Sequence, residues 1–141
     1  MRDDRLLYAA YKSKVFSADK AANLINNHDV VGVSGFTKAG DSKAVLPTFA
    51  ERAGEENIEI FLISGASLGY DTDGSLAKNK ALYKRMPFQV DATLRNEINQ
   101  ENILYIDQHL SETAEQLQNG HLPKIDIAIV EAVGVTEEGH I

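Results

Sequence analysis

A serine flanked by glycines has the pattern in this chain that most directly suggests chemistry. Residues 65–69, Gly-Ala-Ser-Leu-Gly, match the Gly-x-Ser-x-Gly pattern of a nucleophile elbow, which exposes a serine hydroxyl at the top of a sheet. An elbow turns directly into a helix, whereas the sequence after Ser67 predicts a loop. The histidines that could serve as a base, His109 and His121, have no spacing that favours a triad. Three interpretations of Ser67 stay open: a nucleophile, a strand-end hydroxyl that binds a ligand oxygen, and a structural turn residue.

Two other loops resemble ligand-binding motifs but lack a residue that each motif needs. Residues 35–42, Gly-Phe-Thr-Lys-Ala-Gly-Asp-Ser, lie between a predicted strand and a predicted helix, as a P-loop does. A P-loop needs lysine after its last glycine to neutralise phosphate charge, and this chain has Asp41 there. Residues 71–75, Asp-Thr-Asp-Gly-Ser, resemble part of a calcium loop but lack its third acidic ligand and its closing glutamate. We therefore expect a strand-to-helix turn in the first segment, a solvated loop with an aspartate cap for the next helix in the second, and no bound metal.

The composition indicates one folded domain and excludes several classes of function. The 141 residues are 43% hydrophobic and 25% charged, which suits a single soluble domain of roughly 100–150 residues. The formal net charge of −7 repels phosphate backbones, so we expect no nucleic acid partner. No apolar run approaches the ~20 residues that cross a bilayer, so we expect no membrane partner. The absence of cysteine excludes disulfides and thiol catalysis, and it fits a reducing compartment such as the cytoplasm.

Alternating strands and helices predict an α/β fold, with a parallel sheet and helices on both faces. The first sixteen residues are expected to form an irregular or short helical arm, and residues 17–141 the domain. Ser17 and Asp91 are predicted to cap helices. The predicted strands are residues 29–34, 58–63, 103–106 and 125–130, and the predicted helices are residues 18–25, 45–53, 75–83, 92–99 and 113–118.

Ligands of parallel α/β sheets bind beyond the carboxyl ends of the strands. In this chain those ends fall at residues 34–37, 64–67, 107–109 and 131–132. Glu131 ends an apolar run, where it could be a carboxylate tuned for chemistry or a strand-end residue bonded to neighbouring backbone. We expect any functional site to lie at this edge of the sheet.

Taken together, the strand-end segments resemble the N-terminal part of the acetyl-CoA hydrolase/transferase family. This family is the branch of class I CoA-transferases that includes succinate and acetate CoA-transferases. The resemblance runs from about residue 14 to the last residue. The segments that carry it are residues 31–37 (Val-Gly-Val-Ser-Gly-Phe-Thr), 62–67 (Leu-Ile-Ser-Gly-Ala-Ser), 87–88 (Pro-Phe) with 91–95 (Asp-Ala-Thr-Leu-Arg), 105–110 (Tyr-Ile-Asp-Gln-His-Leu), and 127–132 (Ile-Ala-Ile-Val-Glu-Ala) with 137–139 (Glu-Glu-Gly).

The resemblance implies a two-domain enzyme with two similar halves, of which this chain is an incomplete first half. In the family, a glutamate attacks the acyl-CoA thioester, and a glutamyl-CoA thioester then passes CoA to a second carboxylate such as acetate or succinate. Interception by water gives hydrolysis. Coenzyme A is then a substrate, with no permanently bound cofactor. The glutamate belongs to the second half, so we expect no catalytic residue here, and Glu131 matches a first-half segment rather than the nucleophile's.

The same resemblance implies a substrate-binding role for five residues. Ser67 falls where the family has a hydroxyl that contacts the substrate carboxylate. Gly65 and Ala66 would allow close backbone approach, and Gly35 and Phe36 would form a wall of the same pocket. In addition, Val90 stands where relatives have a threonine near this pocket, which leaves the identity of the acyl acceptor open.

The expected partners are acyl-CoA, short carboxylates, the missing C-terminal half and further copies of the chain in a homo-oligomer. The last residues, Glu-Glu-Gly-His-Ile, resemble a turn into another strand, so we expect a fragment that is inactive alone. A eukaryotic relative could reside in the mitochondrial matrix. Two alternatives stay open: a small serine hydrolase that uses Ser67, and a non-catalytic α/β domain that binds acyl-CoA or a partner.

Overall fold

Five strands form one parallel sheet in a computed structural model that describes residues 5–141. The strands are β1 (Val30–Val33), β2 (Ile60–Ser64), β3 (Leu82–Met86), β4 (Leu104–Tyr105) and β5 (Ile127–Ile129), in the sheet order β4-β3-β2-β1-β5. The helices are α1 (Ala18–Ala22), α2 (Val45–Glu56), α3 (Ser75–Lys78), α4 (Ala92–Asn99) and α5 (Leu110–Gln118). Residues 5–141 also include a short 3-10 helix at Ala9–Lys14 and a π-helical turn at Tyr70–Gly74. The predicted α/β fold with a parallel sheet is confirmed.

The strand order reverses beside β1. Strands β2, β3 and β4 follow one another on one side of β1, while β5 returns to its other side. The register aligns the carboxyl ends, because Val33 lies opposite both Ser64 of β2 and Ile129 of β5. In open α/β sheets, a reversal of this kind leaves a crevice between the loops at the carboxyl edge, where ligands bind.

Both faces of the sheet carry apolar side chains, but they are covered unequally. One face packs against α1 to α4 through a large core that includes Val31, Leu62 and Phe49. The other face holds a smaller cluster with Val30, Phe61, Ile63 and Met86, over which α5 packs. Burial on both faces explains why β1 and β2 are continuous apolar runs rather than alternating ones.

The strand β3 corrects the sequence-based expectation. A helix was expected over residues 75–83, but α3 ends at Lys78 and β3 follows. The sequence of β3, Leu-Tyr-Lys-Arg-Met, contains two basic residues and therefore lacks the apolar pattern of a buried strand. Arg85 is nevertheless completely buried, because the fold provides a carboxylate for it.

Two of the expected helix caps are confirmed, and other local expectations are wrong. The Ser17 hydroxyl accepts a hydrogen bond from the Lys20 amide at 3.2 Å, and the Asp91 carboxylate accepts one from Leu94 at 2.9 Å. The segment at residues 71–75 is not a solvated loop, since it forms the π-helical turn, and no side chain caps α3. The helix α5 begins at Leu110, three residues earlier than expected, with His109 as its cap.

The chain before α1 pairs with the segment after β5. The Leu7 amide donates to the Val135 carbonyl at 3.1 Å, and the Val135 amide donates to the Arg5 carbonyl at 2.8 Å. The first four residues of the expected arm lie outside the described residues. None of the helices within residues 5–141 combines the length and the apolar character needed to span a membrane.

Candidate functional site

The loops after β1 and β2 lie against each other at the carboxyl edge of the sheet. The Thr37 amide donates a hydrogen bond to the Ser67 carbonyl at 2.9 Å. A Cβ atom added to Gly65 would lie 3.5 Å from the Gly35 carbonyl oxygen, so the two backbones are in contact there. Gly35 has φ of 144°, and an added Cβ would overlap the Leu68 side chain. The structure therefore brings the predicted site segments, residues 35–36 and 65–67, into one place.

A strained turn presents an aromatic side chain beside these loops. Phe36 and Ala39 exchange two backbone hydrogen bonds, at 2.8 and 2.9 Å, which close a two-residue turn. The residues within it, Thr37 and Lys38, have φ of 45° and 74°, a conformation that turns of this shape usually assign to asparagine or glycine. A β-branched residue with positive φ is a strained position. Phe36 is 62% exposed and lies at the start of this turn.

Asp41 ties the two loops together from a buried position. Its Oδ2 accepts hydrogen bonds from the Gly69 amide at 3.2 Å and from the Thr72 hydroxyl at 3.3 Å. Its Oδ1 lies 2.8 Å from the Lys43 ammonium nitrogen. Burial opposes ionisation of the Asp41 carboxyl, but hydrogen bonds from Lys43 and Gly69, with the Lys43 charge, hold its pKa below the ordinary value. The aspartate at the position of the P-loop lysine thus has a structural role that its sequence context did not reveal.

A serine at the end of β1 connects the loop after β1 with the end of β5. The Ser34 hydroxyl donates to the Gly40 carbonyl at 2.5 Å and accepts from the Glu131 amide at 2.9 Å. The Glu131 carboxylate is half-exposed and lies 3.7 Å from the Lys43 ammonium nitrogen. The Glu131 carboxylate thus faces a lysine side chain, a contact that neither of the two interpretations of this residue predicted.

Ser67 is buried, and its hydroxyl is unpaired. The residue is 1% exposed, and Oγ has no hydrogen-bond partner among the side chains and backbone that the structure describes. A serine nucleophile needs a base within hydrogen-bond reach and access to substrate. No histidine of the described residues is hydrogen-bonded to Ser67 Oγ, and His109 Nδ1 lies 2.7 Å from the Ser111 hydroxyl at the start of α5. The arrangement is that of a vacant hydrogen-bond donor rather than that of an activated nucleophile.

The acidic segment that resembled part of a calcium loop binds an arginine side chain of the same chain. Asp73 is completely buried and forms an ion pair with Arg85, with Nε and Oδ1 2.8 Å apart. Within residues 5–141, no cluster of three or more histidine, aspartate or glutamate side chains could hold a metal ion. Sequence reasoning missed the pairing of these two residues, and the one signal of it was an acidic segment followed, twelve positions after Asp73, by an arginine.

Two cavities adjoin α5 near this edge. One, of about 340 Å³, lies between α5 and the sheet and reaches Gly65. The other, of about 520 Å³, is lined by Phe88 and by residues 107–110. Val90, which stands near these segments in the chain, is 51% exposed.

A parallel sheet with helices on both faces and two contacting loops at its carboxyl edge defines an α/β domain, a class in which ligands bind at that edge. Residues 1–141 match the family model of the acetyl-CoA hydrolase/transferase N-terminal domain, and the chain belongs to this family. The resemblance found in the strand-end motifs is thereby confirmed.

Curated relatives include both transferases and hydrolases. The chain is 39% identical over 141 residues to a succinyl-CoA:acetate CoA-transferase from Clostridium kluyveri, covering 99% of this chain and 26% of that protein. It is 36% identical over 130 residues to a propanoyl-CoA:succinate CoA transferase from Escherichia coli, covering 89% and 26%. An acetyl-CoA hydrolase from Saccharomyces cerevisiae is 32% identical over 148 residues, covering 97% and 28%. The chain thus spans about a quarter of the length of these relatives.

Solved structures of RipA show the same fold. The crystal structure of RipA from Yersinia pestis has a TM-score of 0.61 at 14% identity, covering 91% of this chain and 29% of that chain. Two mutant RipA structures have TM-scores of 0.65 and 0.66 at 16% identity. At this level of identity the likeness shows the fold alone, and the coverage indicates that the chain corresponds to part of a larger structure.

Proposed function

We propose that this domain binds the carboxylate of short acids such as acetate and succinate within an acyl-CoA:carboxylate CoA-transferase or acetyl-CoA hydrolase. Ser67 donates the hydrogen bond to the carboxylate, and Gly65 and Ala66 allow the backbone to approach it. Gly35 and Phe36 form the facing wall. The activities named for the relatives support this proposal, since each acts on acyl-CoA, with water or a carboxylate as acceptor.

The observation that carries the proposal is the unpaired hydroxyl of Ser67. A buried polar group without a partner costs about 1–3 kcal/mol, so such groups are rare in folded proteins. A ligand carboxylate oxygen would remove that cost by accepting the hydrogen bond, and a charged acceptor gives about 1.5–3 kcal/mol. Because Ser67 is 1% exposed, a ligand reaches its hydroxyl only after the groups that cover it have moved.

The reacting groups of the proposed exchange lie mostly outside this chain. A glutamate from the rest of the protein attacks the thioester carbonyl, which forms an acyl-glutamyl anhydride and releases CoA thiolate. The thiolate then attacks the glutamyl carbonyl, which releases the first carboxylate and leaves a glutamyl-CoA thioester. A second carboxylate reverses these steps to form the new acyl-CoA, whereas water gives free acid and CoA. This covalent relay predicts ping-pong kinetics, with coenzyme A as a substrate and no resident cofactor.

The rest of the protein is therefore the essential partner of this domain in the proposal. Ser67 and the residues around it hold the acid, while the other part supplies the nucleophile and the CoA-binding loop. We also propose that the complete protein is a homo-oligomer. The isolated chain of residues 1–141 is then expected to show no turnover of acetyl-CoA, either with succinate or with water alone.

The test compares two serine variants in the whole protein that carries this domain. Ser67→Ala removes the unpaired hydroxyl, and Ser42→Ala removes a buried hydroxyl that already accepts a hydrogen bond from the Leu46 amide. With acetyl-CoA and succinate as substrates, Ser67→Ala should lower kcat/KM for the carboxylate about tenfold or more, since 1.4 kcal/mol is tenfold. Ser42→Ala should leave it unchanged.

Two results would contradict the proposal. Unchanged carboxylate kinetics in Ser67→Ala would remove this hydroxyl from the site. Clear turnover by residues 1–141 alone would place a nucleophile on this chain, and Ser67 and Glu131 would then be the first residues to replace.

A further inference from the structure

We propose that the buried ion pair between Arg85 and Asp73 is a positioning device that fixes the orientation of Ser67 for its ligand. This inference rests on the proposed role of Ser67 and extends it to residues that contact no ligand themselves. It is based on the hydrogen bonds that Arg85 and Asp73 form with the backbone beside Ser67, in addition to those between themselves.

The pair is bidentate and fully enclosed. Arg85 and Asp73 are each 0% exposed, and the guanidinium is the largest fully buried side chain of the described part of the chain. Arg85 Nε donates to Asp73 Oδ1 at 2.8 Å, and Arg85 Nη2 donates to Asp73 Oδ2 at 3.1 Å. Two parallel hydrogen bonds of this kind fix the relative orientation of both planar groups. Since Arg85 lies on β3, the centre of the arrangement is attached to the sheet itself.

The pair also bonds to the backbone on both sides of Ser67. Arg85 Nη2 donates to the Ala66 carbonyl at 3.3 Å, and Asp73 Oδ2 accepts from the Leu68 amide at 3.3 Å. The Ser67 carbonyl accepts from the Thr37 amide at 2.9 Å. Bonds therefore hold the peptide groups before and after Ser67, while its hydroxyl has no partner among the described residues.

Stability by itself does not account for such a pair. Removing two charges from water is so unfavourable that replacing a buried ion pair by apolar residues often causes no loss of stability. What an apolar pair cannot do is hold a carbonyl and an amide on either side of one residue. We therefore assign the pair the function of orienting Ser67, which a ligand-binding hydroxyl requires to within a fraction of an ångström.

The chain contains a matched arginine for comparison. Arg52 donates to the Ala22 carbonyl at 2.7 Å and to the Ile25 carbonyl at 2.5 Å, and its Nε lies 3.3 Å from a Glu56 carboxylate oxygen. These contacts lie before β1 and at the end of α2, on the amino side of the sheet, and thus away from the carboxyl edge. Arg52 also bonds to backbone carbonyls and lies beside a carboxylate, although the Glu56 carboxylate is largely exposed, and none of its contacts reaches the Ser67 loop.

The kinetic test asks whether the pair acts through Ser67. In the whole protein, the double variant Arg85→Met with Asp73→Asn removes both charges together, so no buried charge is left unpaired. It should lower kcat/KM for the carboxylate about tenfold when Ser67 is present and less than twofold in the Ser67→Ala background. Arg52→Met should have the same small effect in both backgrounds. Non-additivity of this kind measures coupling between neighbours.

An equal loss from the double variant in both Ser67 backgrounds would overturn the proposal, since a merely structural effect does not depend on the hydroxyl. If the double variant fails to fold, Arg85→Lys takes its place. Lysine keeps the charge opposite Asp73 but lacks the planar fork that reaches Ala66. The same dependence on Ser67 is expected from it.

A second measurement separates this inference from the proposed function. In residues 1–141, hydrogen exchange at the Leu68 amide should become at least tenfold faster in Arg85→Lys and unchanged in Arg52→Lys. Unchanged protection of Leu68 in Arg85→Lys would overturn the positioning role, whatever the kinetics show. If exchange at Leu68 is faster but the whole protein shows no turnover, or Ser67→Ala leaves its carboxylate kinetics unchanged, the proposed function is contradicted while the positioning role of the ion pair stands.

Discussion

Replacing Ser67 by alanine should not destabilise the isolated domain, which is unusual for a change at a buried site. Most buried substitutions remove a contact, but the Ser67 hydroxyl has no hydrogen-bond partner in the described structure. Leaving such a group unpaired costs about 1–3 kcal/mol, and alanine removes that cost. The void left by one hydroxyl costs about 1 kcal/mol. The expected net change in the free energy of unfolding is a gain of about 0–2 kcal/mol.

Thermal and urea unfolding of residues 1–141, followed by circular dichroism, measure this change. For a domain of this size, 1 kcal/mol corresponds to about 4 °C in Tm, so Ser67→Ala should raise Tm by about 0–8 °C. Ser42→Ala is the matched control, because the Ser42 hydroxyl accepts a hydrogen bond from Leu46. Its loss should lower the free energy of unfolding by about 1 kcal/mol.

The pair of results separates two roles for buried serines. A loss of more than about 1 kcal/mol in Ser67→Ala would show that its hydroxyl is hydrogen-bonded in the folded protein, for example to an ordered water. Ser67 would then no longer be a vacant donor, and the observation that carries the proposed function would fail. A gain in stability combined with lost carboxylate kinetics is the pattern of a residue kept for ligand binding rather than for folding.

Three further predictions concern residues at the carboxyl edge, and each is measured by urea denaturation. Gly35→Ala should lower the free energy of unfolding by about 2–5 kcal/mol, because φ is 144° and an added Cβ overlaps the Leu68 side chain. Gly40→Ala is the control: φ is 70° but the space is open, so the loss should be about 1–2 kcal/mol. Equal losses in the two variants would show that crowding at Gly35 is not the cause. The pKa of Asp41 is held below its ordinary value, so its stabilisation is present above about pH 4 and is lost as the pH falls through the folded-state pKa. Asp41→Asn should therefore be less stable at pH 7 and lose less stability on acidification to pH 3, and parallel pH profiles would contradict this. Arg85→Met alone should lower the free energy of unfolding by about 3–5 kcal/mol, because it leaves the Asp73 carboxylate without a partner. Adding Asp73→Asn should recover most of that stability. A double variant no more stable than the single one would show that the unpaired charge is not the cause.

Local sequence patterns were sufficient to predict the strands and helix caps that depend on neighbouring residues. Apolar runs rich in β-branched residues predicted β1 and β2, because strands buried on both faces of a parallel sheet need apolar side chains at every position. The apolar run of β5 was recognised as well, although β5 is an edge strand and is only partly buried. Ser17 and Asp91 were recognisable as caps, because a cap depends only on the three residues that follow it. The family was likewise recognisable from residues at strand ends, which a parallel sheet places at one edge whatever the helices between them do.

Only the tertiary structure determined which residues around Ser67 are buried and which partners they bind. The strand β3 was missed because Arg85 has no apolar character, and its burial depends on Asp73, which the π-helical turn brings to it from twelve residues away. Long-range contacts likewise explain Asp41: the residue that did not fit a P-loop accepts hydrogen bonds from Gly69 and Thr72 and so joins two loops. A sequence specifies which side chains can donate and accept hydrogen bonds, but which donors find partners depends on contacts between distant segments. The vacant hydroxyl of Ser67 is therefore a property of the folded chain, whereas the strand that leads to it is a property of the sequence.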